Sequence, residues 1–265
     1  MTAIAAESAR TPHNGKYRDG QRSALRNLVV TEATLLVRDV VPLSWGVVFP
    51  IILLSVMGAF SHGPDKSLGG ISLVATYEPI LIAFTISTFA LQGLAPVLAG
   101  YRERGILRRL NATPVGAGRL LLAQLTVNIS VTLIATLGIL VVGDAAFGVP
   151  LPGQAFGFIL ALVLTSTAML TLGLLIASLA RSARVAGAVG TMLFLPLMFF
   201  AGLWVPRATM SAGLRRMGDD TPLGASVSAL QHAMSGQWPS ATGLAMLAAY
   251  TVVFGLLAWR LFRWE

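Results

Sequence analysis

PILIAFTISTFALQGLAPVLAG, residues 79–100, runs directly into YRERGILRRLNATP, residues 101–114. The first stretch holds no Asp, Glu, Lys, Arg or His, and as a helix it is long enough to cross a hydrocarbon core about 30 Å thick. Backbone groups in lipid have to be paired within their own segment or in a closed barrel, and the stretch lacks the period-2 alternation of barrel strands. It predicts a transmembrane helix. Working outward, five more uncharged apolar runs of that kind lie at 40–60, 120–142, 154–180, 185–205 and 241–259. The composition requires them: a chain of 265 residues that is 55% hydrophobic and 11% charged has more apolar surface than one soluble core can hide. The fold class expected is an all-α integral membrane protein with six transmembrane helices.

The basic residues set the orientation. Fifteen of the 19 Lys and Arg fall on one set of connections, including Arg26, Arg38, Arg102, Arg104, Arg108, Arg109, Arg119, Arg181 and Arg184. The other set holds Lys66, Arg207, Arg215 and Arg216. This bias predicts that both termini are cytoplasmic in an inner or plasma membrane. The net charge of +8 is then a matter of topology, and nucleic acid is not needed to explain it. The polar start does not resemble a secretory signal, so the N-terminus is expected to be retained. The chain has no cysteine, which removes disulfide and thiol chemistry.

Residues 1–20 are polar and broken by Pro12, Gly15 and Gly20, and are expected to be disordered. Over 21–38, Leu25, Leu28, Val29 and Leu36 recur at helical spacing, with Arg22, Arg26 and Glu32 as polar neighbours, which predicts an amphipathic interfacial helix. A basic flank that only enforces topology is the alternative. Beyond the fifth run, 206–240 carries Pro206, Pro222, Pro239 and a twelve-residue apolar stretch, 223–234, too short to span. It reads as a re-entrant or interfacial helix, or else as a loop folded back on the protein.

The stretch 101–113 predicts a short helix, stopped by Pro114, Gly116 and Gly118. At 100° per residue Glu103, Ile106, Leu107 and Leu110 share one face, and Arg102, Arg104, Arg108 and Arg109 occupy the other. Such a helix could dock its apolar face into a groove on a soluble partner, with Glu103 inside the contact. Periodicity alone favours the alternative, a helix that lies on the membrane with its arginines towards lipid phosphates.

Three stretches now carry a resemblance: 101–114, FFAGLWVP at 199–206, and TPL at 221–223. With the six-run layout, the chain resembles membrane subunits of the ABC-2 type of ABC exporters, most similar to permeases of actinobacterial drug exporters such as the daunorubicin exporter. The resemblance implies a permease that pairs with a separate ATP-hydrolysing subunit and dimerises around a transport path. It implies an interfacial helix before span one, re-entrant helices after span five, and a coupling helix after span two. For the coupling helix it points to Tyr101, Arg102, Glu103, Arg104, Gly105, Ile106, Leu107, Arg108 and Arg109. At Gln231 the sequence departs from relatives, which often have a basic residue there.

The energy source has to lie elsewhere. A P-loop places a lysine in G-x-x-x-x-G-K-[ST], and neither lysine of this chain, Lys16 or Lys66, fits. No cofactor is expected on this chain, with ATP and Mg expected on the partner subunit. The predicted spans contain no carboxylate, His or Lys, which weakens ion-coupled transport and intramembrane catalysis. No metal cluster or catalytic constellation is visible, as His13, His62 and His232 lie apart in the tail and outer loops. The intramembrane polar side chains are mild, and most, such as Thr85, Ser87, Thr88, Thr165 and Thr171, are expected to bond to their own helix or a neighbour. Gln92, Gln124 and Asn128 are the candidates for a translocation path or dimer interface, and Phe199, Phe200 and Trp204 for an outer gate. An otherwise apolar path suits a hydrophobic or amphiphilic cargo. The alternatives are a permease for a lipid-linked polysaccharide, or a membrane anchor or assembly subunit without transport.

Overall fold

The computed structural model describes residues 14–60, 63–65, 70–113 and 116–261. Among them are six helices long and apolar enough to cross a membrane: Val40–Phe60, Leu73–Glu103, Ala117–Phe147, Ala155–Leu179, Ala183–Ala201 and Ala241–Leu261, numbered here spans 1 to 6. The chain is an all-α, multi-pass membrane protein. A helix at Asn14–Arg38 precedes span 1, and short helices at Ala212–Asp219 and Pro222–Met234 lie between spans 5 and 6. A two-residue antiparallel pairing, Pro64–Asp65 with Ile71–Ser72, closes the connection between spans 1 and 2.

Span 2 is the hub. Every residue from Thr76 to Leu91 is buried, and spans 1, 3, 4 and 5 and the helix Pro222–Met234 all pack against it. Its unbroken apolar run thus faces protein on all sides, where lipid contact would bury only one stripe. Thr88–Leu94 is wound as a π-helix. Two glycines close on that stretch from neighbouring helices. A Cβ on Gly173 of span 4 would lie 2.4 Å from the Ala90 carbonyl oxygen, and one on Gly190 of span 5 would lie 2.3 Å from that of Leu91. Small residues at helix crossings replace the hydrophobic drive that lipid does not supply.

Spans 2 and 3 run antiparallel. Glu78 lies against Gly143, and a Cβ on Gly93 would lie 3.9 Å from Asn128 Oδ1. That register sets Thr85 of span 2 level with Thr136 of span 3. Most intramembrane hydroxyls bond to their own helix, as expected: Ser87 donates to Ala83 O at 2.7 Å, Thr88 to Phe84 O at 2.9 Å and Thr171 to Thr167 O at 2.9 Å.

Several boundaries differ from expectation. The helix expected at 21–38 begins at Asn14, so 14–20 is helical where disorder was expected, since a helix anchored by its docked half propagates at little cost. The remainder of the expected tail, 1–13, lies outside the described residues. Span 2 starts at Leu73, with Ser72 as its N-cap accepting from the Ala75 amide at 3.2 Å. Glu78 and Pro79, which read as a border, therefore lie inside the helix, and spans 2 and 3 do contain carboxylates, Glu78 and Asp144. Span 5 ends at Ala201 because Gly202, at φ 99°, caps it and turns the chain away. The apolar stretch after span 5 is a helix wedged among spans 2, 4, 5 and 6, with Leu223, Val227 and Leu230 fully buried.

Candidate functional site

The basic stretch after span 2 is not one helix. Span 2 itself runs on through Tyr101 and Arg102 to Glu103, the chain turns at Gly105 with φ 68° and ψ 16°, and a second helix occupies Ile106–Asn111. A left-handed residue ends one helix and starts the next, and only glycine takes that conformation without a steric cost. Pro114, one of the expected stops, lies outside the described residues.

The two faces of the loop helix have different uses. Leu107 is buried against Ala117, Leu120, Leu28 and Tyr101, with Leu110 packed on the same cluster, and Ile106 is half-buried. The apolar face is therefore satisfied by the chain's own N-terminal helix and span 3, not by lipid or a foreign groove. Arg104, Arg108 and Arg109 are exposed.

Arg102, which is half-buried, and Glu103, which stays exposed, both bond to other helices of the chain. Arg102 donates to the carbonyl oxygens of Ser178, at 2.7 Å, and Ala180, at the C-terminus of span 4. Glu103 Oε2 accepts from the Ala183 amide at 3.0 Å, at the N-terminus of span 5. A cation thus meets the negative end of one helix dipole and an anion the positive end of the next. This clamp ties the end of span 2 to the junction of spans 4 and 5.

Beside the clamp the N-terminal helix contributes Glu32, only 6% exposed. The Tyr101 hydroxyl donates to its carboxylate oxygens at 2.9 Å, and the Gln124 side-chain amide donates to Oε2. Asn128 Nδ2 donates in turn to the Gln124 carbonyl at 2.8 Å. Burial lifts the Glu32 carboxyl above its ordinary range, while the Tyr101 hydrogen bond opposes the rise. Above this network opens a cavity of about 430 Å³, bordered by Glu32, Gln92, Gln124 and Asn128 on its polar side and Arg104 at the basic end, with apolar walls from Leu35, Pro96 and Val97. Gln92, Gln124 and Asn128 are thus brought together. Glu32 was overlooked as a site residue although its spacing marks it: on a helical projection it falls in the middle of the face made by Leu25, Leu28, Val29 and Leu36.

Phe199, Phe200 and Trp204 lie at the opposite end. The rings of Phe199 and Phe200 meet edge to face at 5.6 Å, and Trp204 is exposed. Their support is a buried cation that no pattern of residues singles out. Arg207 donates to Phe200 O at 3.2 Å and Gly224 O at 3.1 Å and pairs with Asp219. A second cavity, about 810 Å³, opens here beside Arg215, Gln231 and His232.

A family model, that of the ABC-2 type transporter, matches residues 21–235, from within the N-terminal helix to just past Pro222–Met234. The chain belongs to the ABC-2 type transporter family. Compared with curated proteins, the chain matches none. As an ABC-2 permease it is the transmembrane component of an ABC-type transporter and not its ATPase, and that family works with an ATP-binding subunit.

Proposed function

We propose that this ABC-2 permease exports a hydrophobic or amphiphilic compound, driven by a separate subunit that binds ATP and Mg at the basic end. The charge bias supports placing that end, with both termini, in the cytoplasm and the chain in the inner membrane. A second permease, identical or related, completes the transport path. Outward direction and a drug-like cargo follow from the resemblance to drug exporter permeases. The apolar walls of the cavity favour a cargo of that kind.

The observation that carries the reading is the mounting of the loop helix. Its arginines face out, its apolar side is fixed by Leu107 to span 3 and the N-terminal helix, and Arg102 and Glu103 bind the preceding turn to spans 4 and 5. A push on Arg104, Arg108 and Arg109 is therefore delivered to four helices at once. The partner's face would be acidic. Reversing Arg108 and Arg109 to Glu should abolish co-purification of the ATPase and its cargo-stimulated hydrolysis, with insertion unchanged. Full assembly of the double variant would sink the docking assignment, and a permease that never binds an ATPase would favour the anchor reading.

A further inference from the structure

We propose that Glu78, between spans 2 and 3, is a buried proton-binding site whose neutral acid form holds the ends of those spans together. Glu78 is 1% exposed and its Oε2 has no hydrogen-bond partner. It presses on the backbone of span 3 so closely that a Cβ on Gly143 would lie 2.8 Å from Oε1 and 3.3 Å from Oε2. No space is left there for a hydrated cation.

Among the described residues, the charged and titratable groups around it give no positive partner. Span 3 offers Asp144, next to Gly143 and of like charge, while spans 1 and 4 carry none among their described residues. Tyr77 is its own neighbour on span 2. His232, on the helix Pro222–Met234, is engaged through Nδ1 with Ser228 O at 2.7 Å. Arg207, packed near Ile80 through Gly202, is committed to Asp219 and two carbonyls. An unpaired ionised carboxylate is strongly disfavoured in such a place, and the group takes up a proton instead. The proton adds to one carboxylate oxygen and comes from water at the near end of the bundle. One helical heptad further in, at one level of spans 2 and 3, Thr85 and Thr136 are buried, and both hydroxyls lack a partner among the described residues. The seam therefore has acceptors and donors idle in this arrangement that become available once the spans part. Ionisation of Glu78 supplies the reason to part, because the charge can be stabilised only by admitting water.

The test uses the full chain in lipid nanodiscs and infrared difference spectra recorded between acidic and alkaline buffer. The carbonyl stretch of a buried, protonated carboxylic acid is expected. It should survive in Glu32→Gln and Asp144→Asn, and its Glu78 component should vanish in Glu78→Gln, which keeps the size and neutrality of the acid and should insert normally. A band unchanged in Glu78→Gln, or absent from the Glu32→Gln protein, overturns the proposal. Should Glu78→Gln not accumulate, carbon-13 glutamate in the Glu32→Gln background must shift the band, and a band that stays put overturns it as well. The natural absence of cysteine allows a second readout, a disulfide between Thr85→Cys and Thr136→Cys. Its yield should fall with rising pH in an otherwise wild-type chain and stay level with Glu78→Gln. The same fall in both also overturns the proposal.

Discussion

Glu32 shows what one side chain decides. It fastens the N-terminal helix to Tyr101 of span 2 and Gln124 of span 3, so three elements meet at one carboxylate. Burial raises its proton affinity when the helix is docked, and the undocked helix has the ordinary glutamate value. Docking therefore binds a proton more tightly, and the sign follows by linkage. The stability it confers is fully present below the ordinary value and is lost as pH rises through the raised one. Amide-exchange protection across Leu25–Arg38, corrected for the intrinsic pH dependence, should fall over that window, and Glu32→Gln should flatten the profile. A flat wild-type profile would contradict the reading. Gln124 and Asn128 were recognisable in the sequence as side chains that lipid would not tolerate. That the partner of Gln124 is a glutamate 92 residues away was not, because a pairing across that separation leaves no local pattern.

At the scale of elements, hydropathy located all six spans, and span 1 has the expected bounds of Val40 and Phe60. It failed where a cap or a break outweighs composition. Ser72 starts span 2 before its charged residue, Gly105 divides a stretch that reads as one amphipathic helix, and Gly202 stops span 5. The π-helical stretch of span 2 had no signature in composition either. Its effect is to place the carbonyls of Ala90 and Leu91 where Gly173 and Gly190 can reach them. Gly190→Ala should push span 5 off span 2, since the neighbouring atom is backbone and cannot rotate away. A cost of about 1–3 kcal/mol is expected from overpacking of this kind. Gly173→Ala should do the same to span 4. By contrast Gly213→Ala, which meets nothing within 4 Å, should leave thermal stability in detergent unchanged. Equal melting of all three variants would refute this account of the crossing.

For the whole molecule, the polar groups gather at the two ends of a bundle whose centre is closed by span 2. At the basic end they form a clamp, a carboxylate network and a cavity, and at the other a buried Arg207 braces the turn after span 5. The sequence revealed which end was basic but not that Arg102 and Glu103 bond to helix ends of their own chain. Charge alone cannot distinguish an arginine that greets a partner from one that caps a helix. The Glu32 network also has a consequence for the order of synthesis. The N-terminal helix is made before anything it binds, and Gln124 follows Glu32 by 92 residues. At about 5–20 residues per second, the carboxylate must wait roughly 5 to 20 seconds on the ribosome before its last donor exists. Until span 3 has been translated and inserted, the N-terminal helix is an undocked segment. A nascent chain halted after span 2 should yield it to a protease that the finished chain resists.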